Sequence, residues 1–241
     1  VILERIDSVD KTKVRAFLPE VGRNERVLAA VGTMNTQKMP LRGALVAVKD
    51  IISVDGLATC GGSAVPSVAL AMPECPAVTR LRNAGAVMIG KATTTEFAMS
   101  DPTCSANPHD TRRTPGGSSS GSAAAVAAGL CHLALGTQTG GSTIRPASYC
   151  GVVALKATHG RIPAEPGLLR LSKKLDHLTV FGCDVPVVRA AAEVLLDGWD
   201  SKAWKEAAIS PKPLRIAVPE GPFLSKLAPE VRKVFESALN K

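Results

Sequence analysis

An α/β layer fold around a mostly buried sheet is predicted by this sequence, and three observations carry it. Strand-like apolar runs alternate with helix-like stretches. The runs are short and apolar enough to be buried. No period of roughly 20–50 residues repeats, which sets aside solenoids and propellers. Taken in order, Ala44–Val48 reads as a buried strand that ends in Lys49-Asp50. Pro76–Asn83 reads as a helix with Pro at its first turn and Gly85 closing it. Ala86–Ile89 follows as a strand, Ser122–Ala128 as a helix of small residues, and Leu133–Leu135 and Val152–Leu155 as short buried strands. Pro186–Leu196 carries apolar residues at helical spacing and ends at Gly198. Leu214–Val218 is strand-like, and Ala228–Leu239 starts a last helix with Pro229 in its first turn. That helix runs into Lys241 with no capping Gly or following Pro, and a strand followed by one helix would leave a sheet edge uncovered. The expectation is a chain that stops early. Because residue 1 is Val, it is also expected to begin inside a longer reading frame.

The 241 residues are 45% hydrophobic and 21% charged, enough for one sizeable core. This balance excludes a disordered tail, a disulfide-stapled miniprotein and a coiled coil. The longest weakly polar stretch, Ala123–Gly136, contains His132 and falls short of the ~20 apolar residues of a membrane helix. No basic segment followed by an apolar one opens the chain. The six cysteines lie far apart without a CxxC pair, so free thiols and a cytoplasmic location are expected rather than a metal site or a disulfide framework. The net charge of +8 invites a nucleic-acid reading. Yet the basic residues are scattered, and the few aromatics (Trp 2, Tyr 1, Phe 5) build no obvious base-stacking platform.

The most unusual stretch is Thr114-Pro-Gly-Gly-Ser-Ser-Ser-Gly-Ser122, which runs directly into a poly-Ala helix. Glycines let the backbone approach a ligand, and serines at a helix start lie beside unpaired N–H groups. A flexible linker would not continue into a core-grade helix, and the lysine of a phosphate-binding P-loop is missing. A second loop, Gly136-Thr-Gln-Thr-Gly-Gly-Ser142, offers successive N–H groups around Gly140 and Gly141 that suit an oxyanion, with Ser142 at its floor. A serine needs a base to attack an amide. None of the four histidines lies in either loop, and no G-x-S-x-G elbow occurs, so a Ser-His-Asp triad has no support. The remaining base is a lysine made neutral by burial, and Lys49 is the best placed. A solvated lysine at a strand end is the alternative reading of that residue alone.

In combination these pieces resemble the amidase signature family, serine amidases that use a Ser-cisSer-Lys triad. The family pattern is G-G-S-S-G-G/S-S-A-A-A, then G-T/S-D/Q-x-G/A-G-S with a following R and P-A. Here it reads Gly116-Gly117-Ser118-Ser119-Ser120-Gly121-Ser122, then Gly136 to Ser142, then Arg145-Pro146-Ala147. Ser142 follows Ser118 by twenty-four residues, as the pattern requires. Val46-Ala-Val-Lys-Asp50 matches the catalytic-lysine strand, and Ala84-Gly-Ala-Val-Met-Ile-Gly-Lys91 and Asn107-Pro108 fall at the expected intervals. The resemblance covers about residues 10–240 and is most specific through 44–160. Within the family the chain is most similar to the malonamidase branch. It shares Lys91-Ala-Thr-Thr-Thr-Glu-Phe97, Asp101-Pro-Thr103 and Asn107-Pro-His109, and has Gln138 where most members carry Asp. Arg145 follows Ser142 by three residues rather than the more common two.

The resemblance implies a mixed central sheet flanked by helices, incomplete at the C-terminal side, with 1–241 forming a single domain of the N-terminal and signature portion. It implies Ser142 as the acyl-forming nucleophile, Ser118 as the bridging residue after a cis peptide bond, and Lys49 as the base. Backbone N–H groups of Thr139, Gly140, Gly141 and Ser142 are the implied oxyanion donors. Arg145 is implied as a clamp on the free carboxylate of a small amide, against the alternative that it only pins its own loop to backbone carbonyls. No cofactor and no metal are implied. The implied partner is a small-molecule amide substrate, with no nucleic acid and no membrane, and a homodimer is left open. The competing readings are the ammonia-supplying component of a tRNA-dependent glutamine amidotransferase, an inactive truncated amidase fragment, and a plain anion-binding module. Gln138 and the Arg145 register argue against the first, and the intact Lys49, Ser118 and Ser142 against the second.

Overall fold

The computed structural model describes residues 1–33, 39–209, 217–218 and 220–240. Its contacts separate into two compact units, 1–199 and 200–241. In the first unit a helical turn, α1 (Ile2–Arg5), continues into a π-helical segment over 6–14, and α2 (Arg23–Gly32) follows. The next elements are β1 (Leu45–Lys49), α3 (Pro76–Asn83), β2 (Val87–Ala92), α4 (Ser120–Ala127) and β3 (Leu133–Gln138). The unit closes with α5 (Ile144–Cys150), β4 (Val153–Lys156), β5 (His177–Gly182) and α6 (Val185–Leu195).

The four expected strands 44–48, 86–89, 133–135 and 152–155 are all present within a few residues, as are the three expected helices of this unit. The expected small-residue helix begins two residues early, at Ser120, and its first turn closes where the Ala123 N–H donates to the Ser119 carbonyl at 3.2 Å, with the Ser120 hydroxyl donating back to the Gly116 carbonyl at 2.7 Å. Strand β5 and helices α2 and α5 were not anticipated from the sequence.

The five strands form one mixed sheet in the order β2-β1-β3-β5-β4. Strand β1 runs parallel to β2 and β3, whereas β5 is antiparallel to β3 and to β4. Both faces are covered. Alternate residues Val46, Val48, Leu133, Leu135, Leu178 and Val180 face a layer containing α3 and α6. Residues Ala47, Val87, Ile89, Ala134 and Phe181 face α4 and the N-terminal segment, including Ile6, Val14 and Val27. A sheet buried on both faces explains why β1 and β3 read as continuous apolar runs.

This topology sets the position of everything that follows. The C-terminal ends of parallel β1, β2 and β3 lie at one edge of the sheet, and antiparallel β5 begins at that same edge, with Gln138 opposite His177. That edge is where open α/β sheets carry their ligands.

The second unit holds α7 (Ser201–Ile209), α8 (Pro222–Ser225) and α9 (Pro229–Leu239). The expected helix over 228–239 is thus present, with an Arg232–Glu236 pair one turn apart along it. Most of the expected strand 214–218 lies outside the described residues. Among the described residues no helix is long and apolar enough to cross a membrane.

Helix α4 sits close against the sheet because its facing residues are small. Ala123, Ala124 and Ala125 are fully buried. A Cβ added at Gly121 would lie 2.2 Å from the Ala16 carbonyl oxygen and 2.5 Å from the Thr93 backbone nitrogen. Gly121→Ala is therefore expected to lose about 1–3 kcal/mol of stability in urea denaturation, the usual cost of overpacking. Gly140→Ala, whose Cβ would meet nothing within 4 Å, should change stability by less than about 0.5 kcal/mol.

Candidate active site

The last residue of β1 carries the central group. Lys49 shares its strand face with Ala47, so its side chain runs beneath the start of α4. It is completely buried, 0% exposed. Its Nζ donates to Ser118 Oγ at 2.7 Å and to Thr137 Oγ1 at 2.8 Å. Burial disfavours the charged amine and pulls its pKa down to about 7, against a smaller opposing pull from the Asp176 carboxylate. An amine that is partly neutral near pH 7 and within hydrogen-bond reach of a hydroxyl can accept that hydroxyl's proton.

The Gly116–Ser122 loop is folded so that its serines point to different partners. The peptide bond between Gly117 and Ser118 is cis. Ser118 is buried, with its hydroxyl on Lys49. Ser119 donates its hydroxyl to the Thr137 carbonyl at 3.1 Å and accepts from the Thr137 N–H at 3.2 Å, clasping β3 through both backbone groups of one residue. Ser122 donates to the Leu135 carbonyl at 2.9 Å. The loop approaches β3 so closely that a Cβ at Gly136 would lie 2.9 Å from Ser119 Oγ and 2.5 Å from Phe181.

Ser142 is half-buried at the end of the second loop, and its carbonyl accepts the Ser119 N–H at 3.3 Å. The two loops are therefore stitched together one residue from Ser118. Among the described residues no hydrogen bond joins the Ser142 hydroxyl to the Ser118 hydroxyl. Thr139 is half-buried, while Gly140 and Gly141 are exposed. Gln138 shapes this turn: its side-chain oxygen accepts the N–H groups of Thr143 at 2.9 Å and Ile144 at 3.0 Å, the otherwise unpaired donors that start α5. Arg145 is exposed, and its Nε and Nη2 donate to the Gly117 carbonyl at 3.0 and 2.7 Å. Together with Thr95, Thr114, Gly117 and Tyr149 it lines a cavity of about 160 Å³.

Three groups escaped the sequence reading. Thr137 supplies the second hydroxyl on Lys49, beside that of Ser118. Asp50, fully buried, accepts the N–H groups of Cys60 and Gly62 and pairs with the buried Lys91 at 3.1 Å, anchoring the chain immediately after Lys49. Asp176 accepts the Thr139 hydroxyl at 2.6 Å. The Val-Lys-Asp sequence hinted at Asp50, but nothing local signals that residues 137 and 176 meet this site. Among the described residues no group of three or more His, Cys, Asp or Glu side chains is placed to hold a metal ion.

Known proteins resemble this chain in sequence and in fold. The Amidase family model matches residues 1–241. The A subunit of the glutamyl-tRNA(Gln) amidotransferase of Syntrophobacter fumaroxidans is 35% identical over 98% of this chain and 51% of its own length. Its counterpart from Koribacter versatilis is 39% identical over 83% of this chain and 45% of its own. The chain spans about half the length of the curated relatives it matches. Among solved structures, the native peptide amidase of Stenotrophomonas maltophilia superposes with a TM-score of 0.72 at 28% identity, covering 88% of this chain and 46% of that one. A crystal structure described as an amidase reaches a TM-score of 0.76 at 33% identity, covering 99% of this chain and 55% of that one. With the family match running the length of the chain and the loops folded around a buried lysine, this chain belongs to the Amidase family.

Proposed function

We propose that the protein hydrolyses amides through a serine acyl-enzyme, with Ser142 as nucleophile, Ser118 as proton relay and Lys49 as base. The observation that carries this reading is the fully buried Lys49 amine, its pKa pulled down to about 7, on the Ser118 hydroxyl. As Ser142 Oγ attacks the amide carbon, its proton passes to Ser118, whose own proton passes to Lys49. The carbonyl oxygen becomes an oxyanion beside the N–H groups of the 139–142 turn, where each well-placed donor typically contributes ~10²–10³ in rate. Collapse returns the proton through Ser118 to the leaving nitrogen, releasing ammonia and an ester on Ser142. Water then attacks that ester by the same relay.

The substrate we propose is a small primary amide whose far end is a carboxylate. Support comes from Arg145 at the small cavity beside Gly117. Two of its nitrogens hold the Gly117 carbonyl, which leaves Nη1 for an incoming carboxylate. A second reading is favoured by the amidotransferase relatives: the component of such an enzyme that supplies the ammonia. Glutamine is itself a primary amide on a short chain with a carboxylate, so the readings share a substrate chemistry. They differ in what receives the ammonia. Amide hydrolysis assayed with and without the other amidotransferase components separates them, since ammonia passed on to a charged tRNA only with those partners present is the mark of the second.

A fluorophosphonate should label Ser142 alone, read by peptide mapping, and label on Ser118 or Ser119 would overturn the assignment. The rate of labelling should rise with pH through a midpoint of about 7, because the neutral form of Lys49 is the active one and protonation below that pH removes it. Lys49→Ala should slow labelling by several orders of magnitude.

Arg145→Ala should cut kcat/KM on carboxylate-bearing amides by about tenfold or more, consistent with a charge-assisted contact of ~1.5–3 kcal/mol, while neutral amides of equal length lose much less. Equal losses on both substrates would make Arg145 solely the pin on Gly117.

A further inference from the structure

The 139–142 turn has little packing of its own. A Cβ on Gly140 or Gly141 would meet nothing within 4 Å, and both residues are exposed. A turn that must present several N–H groups to one developing charge needs something to hold it. On one side that role falls to Gln138, which fixes Thr143 and Ile144 beyond the turn. On the other side the holder is a residue far away in sequence.

Asp176 immediately precedes β5 and is buried, 6% exposed. Its Oδ1 accepts the Thr139 hydroxyl at 2.6 Å, and its Oδ2 accepts the N–H groups of Leu171 and Ser172 at 2.7 and 2.8 Å. The 172–176 turn is closed on itself, with the Asp176 N–H donating to the Ser172 carbonyl at 3.0 Å. The carboxylate is thus a rigid post, held by backbone on one oxygen and holding Thr139 with the other. We propose that Asp176 is a positioning residue of the amide-cleaving site: through Thr139 it fixes the 139–142 backbone in the form that receives the oxyanion. The inference rests on the serine-amidase reading above.

The same carboxylate has an electrostatic consequence. Asp176 is the charge that works against burial at Lys49 and favours its protonated form. Of the other charged groups around Lys49, Asp50 and Lys91 are paired with each other, Arg145 is bound to Gly117, and Glu96 is exposed. Strand β3 and helix α4 carry no acidic or basic side chain. Around Asp176 itself stand His177, whose Nδ1 lies 2.6 Å from the Leu175 carbonyl, and His159, Arg170 and Glu165, which line the same cavity. Lys173 and Lys174 lie within the turn. Removing the Asp176 charge lowers the proton affinity of Lys49, so neutral lysine persists to lower pH.

The test uses the full native chain and the rate of fluorophosphonate labelling of Ser142 as a function of pH, with thermal melts to check folding. Asp176→Asn should shift the rising limb to lower pH. Thr139→Val, which keeps the charge and removes the hydroxyl, should leave the limb in place and lower the plateau by about tenfold to a hundredfold. Thr139→Ser should restore most of that loss. If Asp176→Asn fails to fold, the two Thr139 variants decide. Thr139→Val labelling at the wild-type rate overturns the inference, as does a folded Asp176→Asn variant with an unmoved limb, or a loss in Thr139→Val that Thr139→Ser does not repair. A wild-type protein that never labels at Ser142 overturns the serine-amidase reading itself and this inference with it.

Discussion

The burial of one lysine organises this structure. A charged ammonium at the position of Lys49, wholly out of water, would lose several kcal/mol of solvation, which the Asp176 carboxylate offsets only in part. The cost is avoided by letting the amine give up its proton near neutral pH. The amine lies against two hydroxyls, so the Ser118 loop and the end of β3 converge on the end of β1. The small residues of α4, the bare Gly136 and the cis bond at Gly117–Ser118 belong to one compact arrangement around that amine.

The neighbouring lysine makes the contrast clear. Lys91 is also buried, at the end of the adjacent parallel strand, but its partner is the Asp50 carboxylate at 3.1 Å, and it donates further to Thr59 and to the Ala58 carbonyl. Burial pulls the Lys91 pKa down while Asp50 pushes it back, and the same Asp50 secures the 60–62 backbone. Two lysines on adjacent strands thus differ in chemistry because one faces a carboxylate and the other faces hydroxyls.

The mixed sheet brings these groups together. Three parallel strands deliver their C-terminal ends to one edge, and the antiparallel β5 contributes its beginning to the same edge. Residues far apart in the chain, such as Lys49 and Thr137, therefore meet. The loops are also tied to one another: Ser119 to Thr137, Ser142 to Ser119, Arg145 to Gly117 and Thr139 to Asp176. Such cross-links hold exposed loops that have little apolar packing of their own.

The sequence by itself determined the elements whose signals are local. Apolar runs placed β1 to β4, a Pro-initiated pattern placed α3, the second Gly/Ser loop and the end of the first strand pointed to Ser142 and Lys49, and the family resemblance added Ser118. It did not reveal β5, because His177–Gly182 mixes polar and apolar residues and becomes a strand by pairing with β3 and β4 far from it in sequence. Helix α5 was hidden by Pro146 and by a start capped from Gln138 rather than by its own first residue. The hydroxyl of Thr137 on Lys49 and the carboxylate of Asp176 behind Thr139 were decided by tertiary structure alone. A pKa depends on which groups surround an amine in space, and that neighbourhood exists only once the strands have come together.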